Sequence, residues 1–182
     1  MTLLCSTIAD WCRKNGAVSE EEYPVVLYGI QVLLNTSLKI LGILLIGVIL
    51  HRLPAVCISM AVFCSMRHWT GGWHSDSHIG CFCTMLLPCV CPSLVMRFTG
   101  EWVSWALGGM LLYSIYAVMR YAPCNSKVNP VTNPGILARK RFGGIVELVG
   151  IIAGTIVYFD METRWLVVLP LFINAALLKE AK

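Results

Sequence analysis

The stretch RHWTGGWHSDSHIGC, from Arg67 to Cys81, gathers an arginine, three histidines, an aspartate, paired glycines and a cysteine between two apolar runs. A cysteine within reach of a histidine is the usual pair for a thiol nucleophile. Imidazole takes the thiol proton, or pairs as imidazolium with the thiolate. Cys81 falls near the start of an apolar segment, where the N–H groups of a helix's first turn have no internal partner and stabilise a thiolate. His74 and His78 are the two bases in range. His78, three residues before Cys81, shares a helical face with it, whereas His74, seven before, stands close to the glycine break. Spacing alone does not choose between them. Gly71 and Gly72 permit backbone angles closed to other residues and let a substrate chain approach closely. Arg67 could bind a substrate carboxylate or fix the loop. Asp76 is placed to orient a histidine, as the third member of a triad does. Ser75 and Ser77 could cap the following helix or donate hydrogen bonds.

Each of these residues also has a plainer reading. Arg67 and His68 sit where a membrane helix would emerge, Trp69 and Trp73 could be interfacial anchors, and the glycines could make only a turn. His74, His78, Cys81 and Cys83 have chemistry that suits zinc, which keeps a zinc-dependent membrane hydrolase among the alternatives. Their spacing matches no strong zinc motif, there is no HExxH, and the expectation is that no metal is bound.

The elements that must hold this stretch are written in the composition. The chain has 182 residues, 57% of them hydrophobic and only 13% charged, with a mean hydropathy of +0.72. A soluble domain carries about 25% charged residues, so the bilayer is the expected solvent. Six apolar segments can be marked, at 25–50, 53–66, 79–96, 102–119, 143–159 and 165–178. The expected fold is an all-α polytopic membrane bundle, a single domain over 1–182. It would have about six transmembrane or partly inserted helices, the second and sixth being short for a crossing. Pro88 and Pro92 should bend the third. Leu4, Ile8, Trp11 and Cys12 form one apolar stripe, which predicts an amphipathic interfacial helix within residues 1–18, or else an extension of the first bundle helix. The start of the chain does not read as a secretory signal. Ser19 and Glu22 fit a capping box ahead of the first long helix. Lys39 lies within that helix and should face a carboxylate or the bundle interior, with Glu147 as its candidate partner.

Excess Lys and Arg marks the cytoplasmic side. With six spans, ten of the 14 Lys and Arg fall inside, three (Arg52, Arg97 and Arg164) outside, and Lys39 in the span. Both termini, the active-site loop at 67–80 and a basic loop at 120–141 are then cytoplasmic. Pro123, Pro130, Pro134 and Gly135 predict that the basic loop is irregular. The nine cysteines are odd in number and mostly lie in apolar runs, so they are expected to pack as small hydrophobes rather than form disulfides. No nucleic-acid motif or basic arm is present, and no inverted repeat of the transporter type. Lys39 and Glu147 nevertheless keep a membrane transporter in view as an alternative function, and a purely structural partner gives the 67–81 cluster no evident reason.

The pattern of Arg67, Gly71-Gly72, His74 and then Cys81 seven residues on resembles the signature of the accessory gene regulator protein B (AgrB) family. QVLLNTSLKILGILLI (Gln31–Ile46) is similar to that family's first span, and Tyr121–Pro123 with the following lysine- and proline-bearing loop and RKR is similar to its central loop. The likeness covers nearly the whole chain. It departs from the family's pattern at Thr70 or Gly71 and at Ser75, where alanine-like residues are favoured. The resemblance implies a thiol protease of a bacterial cell membrane that matures a quorum-sensing peptide without a cofactor. Cys81 would be the nucleophile and His74 the general base, with Arg67 and Gly72 supporting. The partners implied are an AgrD-like peptide precursor and membrane lipid, and a homodimer is compatible with so small a bundle.

Overall fold

In a computed structural model, the chain is described over residues 2–72, 78–124 and 133–180. The Ser19–Glu22 capping box forms as expected. The Ser19 hydroxyl and amide both donate to the Glu22 carboxylate, at 2.8 and 3.1 Å, and the Glu22 amide donates back to the Ser19 hydroxyl at 3.3 Å. The chain then enters a 27-residue helix, with Pro24 tolerated as its second residue because a first-turn amide needs no partner.

All the regular structure among the described residues is helical. The order is α1 Thr2–Lys14, α2 Tyr23–Ile49, α3 Leu53–Thr70, α4 His78–Val95, α5 Glu101–Tyr121, α6 Pro134–Tyr158 and α7 Trp165–Glu180. The chain divides into two compact units, one ending at Gly42 and the other starting at Ile43. In the first unit, Arg13 closes α1 by pairing with Asp10 at 3.1 Å and Glu20 at 3.3 Å. Its guanidinium lies 4.8 Å over the Tyr23 ring, whose hydroxyl donates to Asp10. Leu4, Ile8 and Trp11 lie on the exposed surface of α1 while Cys5 and Ala9 are buried.

In the second unit α7 packs against α3, α4 and α5, and α6 packs against α3 and α5. The α7 sequence is apolar around its whole circumference, which suits a helix enclosed by neighbours. Trp165, Leu166, Val167, Leu171, Ala175 and Leu178 are all buried. One core cluster joins Met66, Val118, Leu148, Val167, Leu171 and Leu178, and another joins Val103, Leu107, Trp165 and Val168. At one end of the unit Arg52 donates to the Ser93 carbonyl at 2.6 Å and the Trp165 indole to the Phe98 carbonyl at 3.0 Å. Arg67 and Cys81 lie at the other.

Three helices, α2, α5 and α6, are long and apolar enough to cross a membrane, while Ile79–Val95 and Trp165–Leu178 are shorter apolar stretches. Six helices thus correspond to the six marked segments, but only three reach crossing length and hydropathy outright. At 1.5 Å per residue the 16 residues of α7 cover about 24 Å, short of a hydrocarbon core of about 30 Å. Leu33, Leu41, Leu45, Leu112, Phe142, Val149 and Val157 stand exposed, an arrangement a protein keeps when lipid covers it.

Two helix ends differ from expectation. Helix α3 continues four residues past Met66, to Thr70, so Arg67, expected in a loop, is helical. Pro134 and Gly135, read from sequence as loop residues, are instead the start of α6. The Asn133 side chain accepts from the Gly135 amide at 2.9 Å as an N-cap, and proline is favoured at the first helical position. Arg139, Lys140 and Arg141 are therefore helical too. Pro88 and Pro92 lie buried inside α4, and Pro170 inside α7.

Candidate functional site

Arg67 occupies the last turn of α3. Its guanidinium carbon lies 5.6 Å over the ring of Phe63, a residue buried to 1% exposure. This packing fixes the planar group from one side. Gly72 lies close to the same group: a side-chain carbon built there would come within 3.0 Å of Arg67 Nη1. Cys81 itself is half-buried in the first turn of α4. Arg67 and the bare backbone of Gly72 thus meet where α3 ends, and the Cys81 thiol stands at the start of α4, which packs on α3.

The turn off α3 depends on glycine. Gly71 has φ +68° and donates its amide to the Arg67 carbonyl at 2.9 Å, and Gly72 has φ +135°. Neither angle suits a residue with a Cβ. A Cβ on Gly71 would also collide with the carbonyl oxygen of Cys124. Cys124 in turn donates its amide to the Thr70 carbonyl at 2.8 Å, and its sulfur lies 3.3 Å from the Leu178 carbonyl. The turn is therefore held from the end of α5 and from α7. It is also held from α6. Trp69 lies on Gly143, where a Cβ would overlap its ring, and against Gly144. Trp69 thus packs between α3 and α6.

Thr70 and Asn174 are polar residues of this site that the sequence reading passed over. Both are buried, at 0% and 1% exposure. The Thr70 hydroxyl donates to the Met66 carbonyl at 2.8 Å and accepts from the Asn174 side-chain nitrogen at 3.1 Å. Asn174 is a polar residue in an otherwise apolar run, the same signal that drew attention to Lys39.

Of the residues expected in the site, the structure brings together Arg67, Gly71, Gly72 and Cys81. His74, Asp76, Ser77 and Ser75 lie outside the described residues, as does the side chain of His78. No group of three His, Cys, Asp or Glu side chains is assembled among the described residues. All nine cysteines are free thiols, with Cys5 and Cys89 buried as packing residues. Lys39 belongs to the first compact unit and Glu147 to the second. A cavity of about 170 Å³ lies between α5, α6 and α7, lined by Leu107, Leu111, Ile152 and Arg164 among others, away from Cys81. The basic residues Arg120 and Arg141 lie at the Cys81 end of the second unit. Arg141 donates to the Met119 carbonyl at 3.3 Å.

Comparison with known proteins gives consistent results. Residues 5–178 match the family described as Accessory gene regulator B. AgrB-like protein 1 of Clostridium perfringens (strain 13 / Type A) is 21% identical over 154 residues, covering 84% of this chain and 81% of that protein. AgrB-like protein 2 of the same organism is 21% identical over 131 residues, 69% of this chain and 61% of that protein. No solved structure matches the chain.

Proposed function

The chain belongs to the accessory gene regulator B family, and on that premise we propose that it is a membrane-embedded cysteine endopeptidase that processes the precursor of an autoinducing peptide. The observation that carries the reading is the placing of Arg67 and Gly72 at the end of α3 and of Cys81 in the first turn of α4, which packs on α3.

In this reaction His74 takes the Cys81 proton, and the thiolate attacks a peptide carbonyl on the C-terminal side of the future signal. The tetrahedral intermediate expels the precursor's C-terminal tail as an amine, which receives the proton from His74. A thioester joins Cys81 to the remaining peptide. A cysteine or serine within that peptide then gives its proton to His74 and attacks the thioester, closing a thiolactone or lactone and expelling the Cys81 thiolate, which takes the proton back from His74. Water must be kept from the thioester until the ring closes, which suits a site at a membrane surface. The positively charged Arg67 stands where it can hold a substrate carboxylate or offset the charge that develops near Cys81. The absence of side chains on Gly71 and Gly72 lets the Cys124 carbonyl and the Arg67 guanidinium close on the turn.

The partner on this reading is an AgrD-like precursor, whose amphipathic segment would share the lipid surface with the enzyme and raise its effective concentration. The location is a bacterial cell membrane, crossed several times, with the site on the cytoplasmic side where basic residues gather. The test is precursor cleavage by purified protein in liposomes, comparing wild type with Cys81→Ala and His74→Ala. Loss of cleavage in both is expected. Cleavage that survives Cys81→Ala overturns the assignment.

A further inference from the structure

The hydrogen bond between Asn174 and Thr70 joins two buried side chains of α7 and α3 next to the glycine turn. Its direction is set by the rest of the network. The Thr70 hydroxyl proton is committed to the Met66 carbonyl, so the hydroxyl oxygen must accept, and the Asn174 amide nitrogen must donate. The other end of that amide, Oδ1, is buried with no hydrogen-bond partner among the described residues. A leucine would fill an apolar helix interior without burying an unpaired acceptor. An asparagine kept there at a cost in stability points to a role beyond packing.

We propose that Asn174 is a positioning residue for the reaction at Cys81, acting through Thr70. The proposal rests on Cys81 being the nucleophile. Thr70 is the last residue of α3. Its carbonyl takes the Cys124 amide, its hydroxyl takes Asn174, and the next two residues are the glycines that make the turn. Whatever fixes Thr70 fixes Gly72, and Gly72 bounds the guanidinium of Arg67 in the last turn of α3, the helix on which α4 packs with Cys81 in its first turn. Asn174 thereby couples the enclosed helix α7 to the electrostatics of the thiol without touching it. Because both partners are buried, water cannot replace the bond when either is removed.

The test uses the full chain in liposomes with a synthetic precursor, in wild type, Thr70→Val, Asn174→Leu, the double variant and Thr70→Ser. Two readouts are taken: kcat and KM for cleavage, and the rate of Cys81 alkylation by iodoacetamide at fixed pH, followed on the Cys81 peptide by mass spectrometry. Each single variant is expected to lower kcat about tenfold with KM changed less than about twofold. Cys81 alkylation should slow in both. The double variant should be no worse than either single, since both remove one interaction. Thr70→Ser, which keeps the hydroxyl, should restore the rate. Unchanged kcat and alkylation in Thr70→Val, or losses that multiply in the double variant, would overturn the proposal. If Asn174→Leu does not fold, Thr70→Val against Thr70→Ser decides. If cleavage proves independent of Cys81, the peptidase reading fails on that arm, whereas the alkylation arm still reports whether Asn174 and Thr70 set the state of the Cys81 thiol.

Discussion

Gly72 lies directly against the Arg67 guanidinium, so close that a methyl group on it would sit 3.0 Å from Nη1. Five residues apart in sequence, the two are brought together because α3 ends at Thr70 and the chain turns back through two positive φ angles. Gly72→Ala and Gly71→Ala are therefore expected to displace the turn. An L-residue in the left-handed region costs about 1–2 kcal/mol before any collision, and the Gly71 variant also meets the Cys124 carbonyl. Precursor cleavage should fall about tenfold or more in each. Wild-type turnover in Gly71→Ala would show that the turn does not set the site.

The Arg67 guanidinium lies over the Phe63 ring and close to Gly72. A lysine keeps the charge but not the planar fork. Both Arg67→Lys and Arg67→Ala should lower kcat/KM by about tenfold or more. A lysine variant with wild-type kcat/KM would mean that charge alone is sufficient there.

Trp69 and Gly143 form the contact between α3 and α6 at this end. Gly143→Val would push the helices apart, an overpacking that costs about 1–3 kcal/mol. The thermal midpoint in detergent should drop by about 5 °C. An unaltered midpoint would show that α6 can give way freely.

The Ser19 hydrogen bonds hold the Glu22 carboxyl below its ordinary value of 4.5. Glu22 then binds its proton more weakly when folded than when unfolded. The contribution of the box is complete above the unfolded value and is lost as pH falls through the lowered folded one. Hydrogen exchange at the first turn of α2, corrected for intrinsic rates, should accelerate as pH drops from about 6 to about 3. Ser19→Ala should remove that dependence. Equal protection at both pH values in wild type would contradict it.

The helices were legible in the sequence because lipid-facing helices must be continuous apolar runs, and their starts were legible where side chains cap them, as at Ser19. The start of α6 was not, because Pro134 and Gly135 signal either a loop or a first helical turn, and only the Asn133 cap decides. Arg67, Gly71, Gly72 and Cys81 were legible as reactive or permissive residue types crowded into one stretch. Thr70, Cys124 and Asn174 were not. Their importance comes from hydrogen bonds between α3, α5 and α7 that no local pattern encodes, and 104 residues separate Thr70 from Asn174.

The most direct test of the account is to catch the acyl-enzyme. Wild-type protein in liposomes would be mixed with precursor, quenched in acid and digested, and the Cys81 peptide weighed. The account predicts an adduct on Cys81 with the mass of the precursor lacking its C-terminal tail, labile to hydroxylamine and absent from Cys81→Ala. Turnover of the precursor with no adduct on Cys81, or cleavage by the Cys81→Ala protein, would contradict it.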